Sequence, residues 1–276
     1  MSKENLEDIV KEIKILTLKM VSRAKTPHVG SSFSVIEILT ALYFKILKID
    51  PNNLNNLERD RFILSKGHAV AGLYATLAIK GFINPEKLLN EFYSNGSYFP
   101  GHVSRGEVPG IEVSAGSLGH GLSMGVGMAL AAKKDNKNYR TFVLLSDGEC
   151  DEGSNWEAIL FAGHHKLDNL IAIIDYNKWQ SFGKTKDVLE LEPFTAKWKD
   201  FNWGVQEVDG HDIRGIVSSL NNIPFESSRP SVLIAHTIKG KGLPLLEDKL
   251  ESHYFNISPE EAEKIIKEIN YEKRIH

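Results

Sequence analysis

The sequence predicts an α/β fold: a doubly wound, mostly parallel sheet with helices on both faces. Three observations predict it. Short runs such as Thr141–Leu145 and Leu170–Ile174 are apolar at nearly every position, the pattern of strands buried on both faces. They alternate with stretches of helical periodicity, the order expected of a parallel sheet. Polar, chemistry-bearing residues follow each apolar run, where parallel sheets bind ligands.

In chain order, Leu6, Ile9, Ile13, Leu16 and Met20 recur at steps of three and four and predict an amphipathic helix. Thr26 to Ser32, with its Pro, Gly and Ser residues, reads as a loop. Ser34-Val35-Ile36-Glu37 has the form of a capping box and announces a second helix carrying Ile38, Leu42 and Ile46. Phe62–Leu64 is a short buried strand, and Ala69–Lys80 is a helix closed by Gly81. Gly116–Lys134 is a helix built largely of Gly, Ala and Ser, so its packing must be close, within the domain or against another chain. Strand Thr141–Leu145, helix Trp156–Lys166 and strand Leu170–Ile174 follow. The series continues with Trp203–Val208, helix Ile213–Leu220 and strand Val232–Ala235. A final helix spans Pro259–Ile269 with Ser258 as its N-cap.

Composition narrows the function classes. The 276 residues are 42% hydrophobic and 25% charged, and no repeat or linker divides them, so one domain over 1–276 is expected. Thirty-three basic residues against thirty-six acidic ones leave a net charge of −3, which argues against nucleic acid and against polybasic membrane anchoring. The one cysteine, Cys150, forms no internal disulfide framework, and the N-terminus from Met1 to Asp8 is polar and acidic rather than a signal or transit peptide. No run is expected to reach the roughly 18–20 apolar residues of a membrane span. A soluble, cytoplasmic protein is the expectation.

The strongest chemical pair is Asp147 with Asn177. Each follows an apolar strand, and a carboxylate with an amide oxygen suits Mg²⁺ or Ca²⁺. Gly148 would let a diphosphate approach the backbone beside the metal. Both positions also suit plain turns. Their separation of 30 residues is a strand–helix–strand length that can bring them to neighbouring strand ends. Gly116-Ser117-Leu118-Gly119-His120-Gly121 reads either as an anion site opening a helix or as glycines for close packing. It fails as a dinucleotide fingerprint, because no good strand precedes it and Met124 takes the place of the third small residue. His28, His68, His102 and His253 fall in loops, where imidazoles can bind sugar hydroxyls and move protons at neutral pH. Cys150 is followed by two acids that oppose a thiolate, so it is not taken as a nucleophile.

Asp147-Gly148-Glu149, Asn177, Ser65-Lys66-Gly67-His68-Ala69 and Gly116-Ser117-Leu118-Gly119 together resemble the thiamine-diphosphate-binding half of transketolase. The resemblance runs from the Pro27-His28-Val29-Gly30 loop to His253 and implies the thiamine-diphosphate-binding fold. It implies that Asp147, the Asn177 side chain and the Trp179 carbonyl ligate Mg²⁺, with Ca²⁺ or Mn²⁺ as substitutes. It further implies that Gly116, Ser117, Leu118 and Gly148 line the diphosphate, and that His68 and His253 also contact the cofactor. His28, His68, His102 and His253 become the candidate catalytic residues. The implied activity is glycolaldehyde transfer, a two-carbon ketol unit passing from a ketose phosphate to an aldose phosphate in the pentose phosphate pathway.

Three positions depart from the family pattern: Ser146 and Tyr254 stand where Gly is usual, and His120 where Gln is frequent. The family's second domain has no counterpart in these residues. The chain therefore resembles the N-terminal subunit of a split transketolase, working in a dimer of heterodimers with a separate C-terminal subunit. A related thiamine diphosphate enzyme using another ketose or keto acid, or a non-catalytic binding protein of the same fold, are the alternatives.

Overall fold

The computed structural model of the chain describes residues 5–106 and 108–272. Met1 to Glu4, part of the polar N-terminus noted above, and the last residues of the 1–276 unit lie outside them. Helix α1 (Leu6–Ala24) buries Ile9, Ile13, Leu16 and Met20 as its period predicts, and Asn5 caps it by accepting from the Glu7 amide at 3.2 Å.

The predicted Thr26–Ser32 loop is partly helical. Helix α2 (Val29–Phe33) is followed by α3 (Ile36–Ala41), which runs on into a wider π turn over Leu42–Ile46. The capping box expected at Ser34 is not made. Its hydroxyl instead bonds Asp175 Oδ2 at 2.7 Å and the Ser31 carbonyl at 3.1 Å, a buried tertiary partner displacing a local cap. One apolar run is longer than the sequence reading expects. Val29–Ile46 is long and apolar enough to cross a membrane, with a mean hydropathy of 1.4, but 89% of it is buried inside the protein, as a core segment would be.

Strand β1 (Arg61–Leu64) leads through a 3₁₀ turn at Gly67–Ala69 into α4 (Val70–Lys80), which Gly81 closes with φ of 96°. Helix α5 (Pro85–Glu91), absent from the sequence prediction, has Asn84 as its cap and Pro85 in its first turn. Helix α6 (Gly121–Lys134) starts later than the predicted Gly116, because Gly119 adopts φ of 84° and residues 116–120 form a loop. Strand β2 (Thr141–Ser146), helix α7 (Gly153–His164) and strand β3 (Leu170–Tyr176) follow. The short helices α8 (Thr185–Val188) and α9 (Phe194–Asp200) have no counterpart in the sequence prediction; they are too brief to show a period. Strand β4 (Gly204–Asp209), helix α10 (Ile213–Leu220), strand β5 (Ser231–His236) and helix α11 (Pro259–Glu272) complete the fold. Ser258 caps α11 reciprocally: its hydroxyl accepts from the Glu261 amide at 3.2 Å while Glu261 Oε2 accepts from the Ser258 amide at 2.9 Å.

The five strands are parallel, in the order β1-β2-β3-β5-β4. Alternate residues feed two cores. Phe142, Leu144, Ile171, Ile173 and Leu233 meet residues of α1, α3, α4 and α10, whereas Val143, Leu145, Ala172, Ile174 and Ile234 meet residues of α6, α7 and α9. That is the doubly wound arrangement the sequence predicts. β4, at the edge, is only half-buried. The small residues of α6 serve close packing within the domain: a Cβ on Gly125 would stand 2.5 Å from Val143 Cγ2, and one on Gly121 would stand 2.3 Å from Ser65 Oγ. From β3 the chain crosses to the edge and returns as β5, so the carboxyl ends of β1, β2, β3 and β5 open on one cleft, as such switch points do.

Candidate functional site

Four loops bring the histidines together. His28, held at φ of 70° before α2, donates its backbone N–H to the His253 carbonyl at 3.0 Å. Its ring lies 5.4 Å from that of His68, 5.8 Å from His102 and 4.9 Å from His253, centre to centre. His68 sits on the 3₁₀ turn after β1. The backbone there comes so near the neighbouring loop that a Cβ on Gly67 would stand 2.5 Å from the Ala115 carbonyl oxygen. All four rings line one cleft, together with Gly116, Leu118, Gly148, Asn177 and Trp179. Ser117 is exposed in the same loop and is not on the cleft wall, and Asp147 is fully buried behind it.

Two buried carboxylates hold the cleft floor. Asp175, at the end of β3, is ion-paired with Lys66, and both side chains are 0% exposed. Asp175 also accepts from Ser34, Thr237 and the Asn177 amide, tying the ends of β1, β3 and β5 to α2 and α3. Burial raises its pKa, but Lys66 and the two hydroxyls outweigh that, and the net shift is downward. Glu149 accepts from the Ser65 hydroxyl, the Gly119 amide at 3.0 Å and the Ser146 amide at 3.2 Å, so it fixes the glycine loop against two strand ends. Sequence reasoning assigns no role to Lys66, Glu149 or Asp175. The available signal is charge placed directly after apolar strands, where a buried ion needs a partner.

A family model described as transketolase, thiamine diphosphate binding domain, matches residues 6–274. The chain belongs to this transketolase family. It is 44% identical over 255 residues to one of the apulose-4-phosphate transketolase subunits, that of Phocaeicola vulgatus, covering 92% of this chain and 89% of that protein. It is 43% identical over 260 residues to 6-deoxy-6-sulfo-D-fructose transketolase subunit SqwG of a Clostridium species, covering 94% of each. Transketolase from Leishmania mexicana superposes with a TM-score of 0.90 at 28% identity, covering 96% of this chain and 41% of that one. A Pichia stipitis transketolase variant gives 0.89 at 31% identity, and the chain spans 40% of its length.

The transketolase domain's donor set fits a divalent metal. Asp147 Oδ1 accepts from the Gly148 amide at 2.8 Å and Oδ2 accepts from the Lys178 amide, which presses the carboxylate against the loop of Asn177 and Trp179. Burial, then the nearby Asp175, pushes its pKa up to about 7, the state of a buried carboxylate short of a counter-charge. Asn177 Nδ2 donates to Asp175, which turns Oδ1 away from that carboxylate and toward the Trp179 amide at 3.0 Å. The Trp179 carbonyl accepts no hydrogen bond from the described residues. Among the described residues no group of three His, Cys, Asp or Glu side chains forms a metal site. A metal here relies on one carboxylate with amide and carbonyl oxygens, a set that suits Mg²⁺ completed by phosphate oxygens.

A second lysine stands in the transketolase cleft beside the Lys66–Asp175 pair. Lys239, missed by sequence reasoning, is buried in it with Nζ 3.3 Å from His253 Nδ1, and burial followed by Lys66 lowers its pKa to about 8. Burial is also the largest cause lowering His28 to about 4 and His253 to about 3, with neighbouring cations adding to it, and His68 falls well below its ordinary value for the same reasons. These imidazoles are neutral at pH 7; the acceptor nitrogen of His253 is Nδ1, already facing the Lys239 ammonium, which leaves its Nε2–H to donate. An anion in the cleft offsets the charge that depresses them. His120 points elsewhere, with Nδ1 3.0 Å from the Leu118 carbonyl.

Proposed function

We propose that the chain is the N-terminal subunit of a split transketolase. It holds the diphosphate of thiamine diphosphate through Mg²⁺. With a separate C-terminal subunit it transfers a two-carbon ketol unit from a ketose phosphate to an aldose phosphate. The observation that carries this reading is the convergence of Asp147 and the Asn177–Trp179 loop with the rings of His28, His68, His102 and His253 on one cleft.

Bound thiamine diphosphate supplies the nucleophilic carbon that carries the two-carbon unit. The chain's own residues do the rest of this half of the site. Asp147, Asn177 Oδ1 and the Trp179 carbonyl hold the metal, while Gly116, Leu118 and Gly148 let the diphosphate approach the backbone. Lys239 adds a positive charge for the same anion. The neutral imidazoles of His28 and His68 accept hydrogen bonds from sugar hydroxyls, and His253, whose Nδ1 faces Lys239, donates from Nε2.

A partner subunit is supported by relatives of nearly the same length that are named as transketolase subunits, and by the solved transketolases being more than twice as long. A dimer of heterodimers is the simplest closed assembly. Because those relatives are named for apulose 4-phosphate and 6-deoxy-6-sulfo-D-fructose, both sugars belong beside ordinary ketose phosphates in the donor panel.

The test is purification of the tagged chain from its own cells, with mass spectrometry of what accompanies it. A stoichiometric second subunit together with thiamine diphosphate supports the reading, and the complex then turns over one of the panel sugars. A chain that emerges alone and free of cofactor under gentle conditions, or that transfers ketol units without a partner, overturns it.

A further inference from the structure

The turn that carries His253 is fastened across the cleft to the loop that carries Asn177 and Trp179. Tyr254 Oη donates to the Ser181 carbonyl at 2.9 Å, and Trp179 Nε1 donates to Asp248 Oδ1 at 2.7 Å. On its other side the same turn is fixed by packing. A Cβ on Gly30 would stand 2.4 Å from the buried Ser252, and the His253 carbonyl takes the His28 amide.

The far loop is less anchored. Its own bonds run from the Gln180 amide to the Gly183 carbonyl at 2.8 Å and from the Thr185 amide to the Lys178 carbonyl at 3.0 Å. Toward β2 it is held by Lys178 on Asp147 and by Gln180 Nε2 on Asp151 at 2.6 Å. Its tip residue Phe182 is 81% exposed and gives no apolar anchorage. Across the cleft, the hydrogen bonds holding it are those of Tyr254 and Asp248. Ser181 and His253 both line the cleft, and Tyr254 behind them reaches from one to the other, its hydroxyl on the Ser181 carbonyl and its ring, 56% exposed, edge-on to His253 at 4.8 Å.

We propose that Tyr254 is a positioning and specificity residue. Its hydroxyl latches the 177–184 loop to the His253 turn, and its ring limits the space beside His253 and therefore the bulk of the ketose admitted. The second half of this statement rests on the reading under Proposed function; the latch itself does not.

Two measurements test it. The first is hydrogen exchange of the 178–185 amides in the full chain, wild type against Tyr254→Phe, which removes the hydroxyl and keeps the ring. Loss of one hydrogen bond of about 1 kcal/mol accelerates loop opening about fivefold, while amides in β2 and β3 are unchanged. Unchanged exchange in the loop overturns the latch. The second gives a series of ketose phosphates of increasing chain length to the complex with the partner subunit. Tyr254→Gly shifts kcat/KM toward the longer donors by about tenfold, the size expected for relief of a steric barrier of about one methylene group. Tyr254→Phe leaves that ratio near wild type while raising KM. An equal fall for every donor in Tyr254→Gly overturns the specificity role. Absence of turnover in the wild-type complex counts against the proposed function, and the exchange measurement still decides the latch.

Discussion

Asp175 accepts a hydrogen bond from the side-chain amide of Asn177 at 2.9 Å. Because a carboxylate can only accept, this contact fixes which end of the amide faces inward and leaves Asn177 Oδ1 to accept from the Trp179 amide with one lone pair to spare. The same carboxylate oxygen is paired with Lys66, so the orientation of a candidate metal ligand depends on a buried ion pair reaching from β1 to β3. Structure and site chemistry share one residue here.

Breaking that pair on one side is expected to be costly. Lys66→Met or Asp175→Asn alone should lower stability by about 3–5 kcal/mol, since each leaves a buried charge or a buried donor without its partner. The double variant should lose less than the sum. Urea unfolding of the four proteins measures the coupling, and strictly additive losses would contradict a direct pair.

Asp147→Asn keeps the shape of the side chain and one acceptor for the Gly148 or Lys178 amide, so the chain should stay folded by circular dichroism. It removes the one charged metal ligand proposed. Thiamine diphosphate binding in the presence of Mg²⁺, followed by calorimetry on the complex with its partner, should fall by about a hundredfold, as expected for loss of a charged contact worth about 3 kcal/mol. Retained affinity would show that the metal is held elsewhere.

His68→Ala should weaken cofactor binding or slow transfer while the melting temperature changes by only a few degrees, because the His68 ring makes no hydrogen bond to the described residues. The check is a thermal melt run beside the binding measurement. Global unfolding would assign His68 to structure instead.

Stability should fall as the solution is acidified. In the folded chain His28 protonates at about 4 and His253 at about 3, whereas in the unfolded chain both protonate near 6.5. The unfolded state therefore binds more protons as pH drops below about 6.5, and stability present above that value is lost progressively toward the folded values. Carboxylates also titrate in this window, so the measurement is a difference: urea midpoints of wild type and His28→Asn between pH 7.5 and 4.5. Asn tolerates the left-handed backbone that His28 occupies, with φ of 70°. The variant should show a shallower pH dependence, and parallel curves would refute the assignment.

The strands and the main helices are legible because their signal is local. Leu170–Ile174 is apolar on both faces, and α1 repeats at 3.6 residues, whatever their neighbours. What the local signal misses has nonlocal causes. Ser34 looks like a helix cap and bonds Asp175, 141 residues away, instead. The Gly116 segment looks like a helix start and is a loop, pinned by the Gly119 amide to Glu149. Val29–Ile46 reads partly as loop because Pro27, Gly30 and Ser32 suggest one, yet tight packing of Gly30 on Ser252 makes it core.

Residue pattern alone is enough for the α/β class, the succession of strands and longer helices along the chain, and the residue types available at each strand end. Those follow from hydrophobic period and from where polar residues interrupt it. The folded chain adds that β5 lies beside β3, that Lys66 meets Asp175, that Lys239 reaches His253, and that Tyr254 bridges to Ser181. Strand order across a sheet and the pairing of buried charges are set by packing and desolvation between segments far apart in the chain, and no local pattern of residues encodes them.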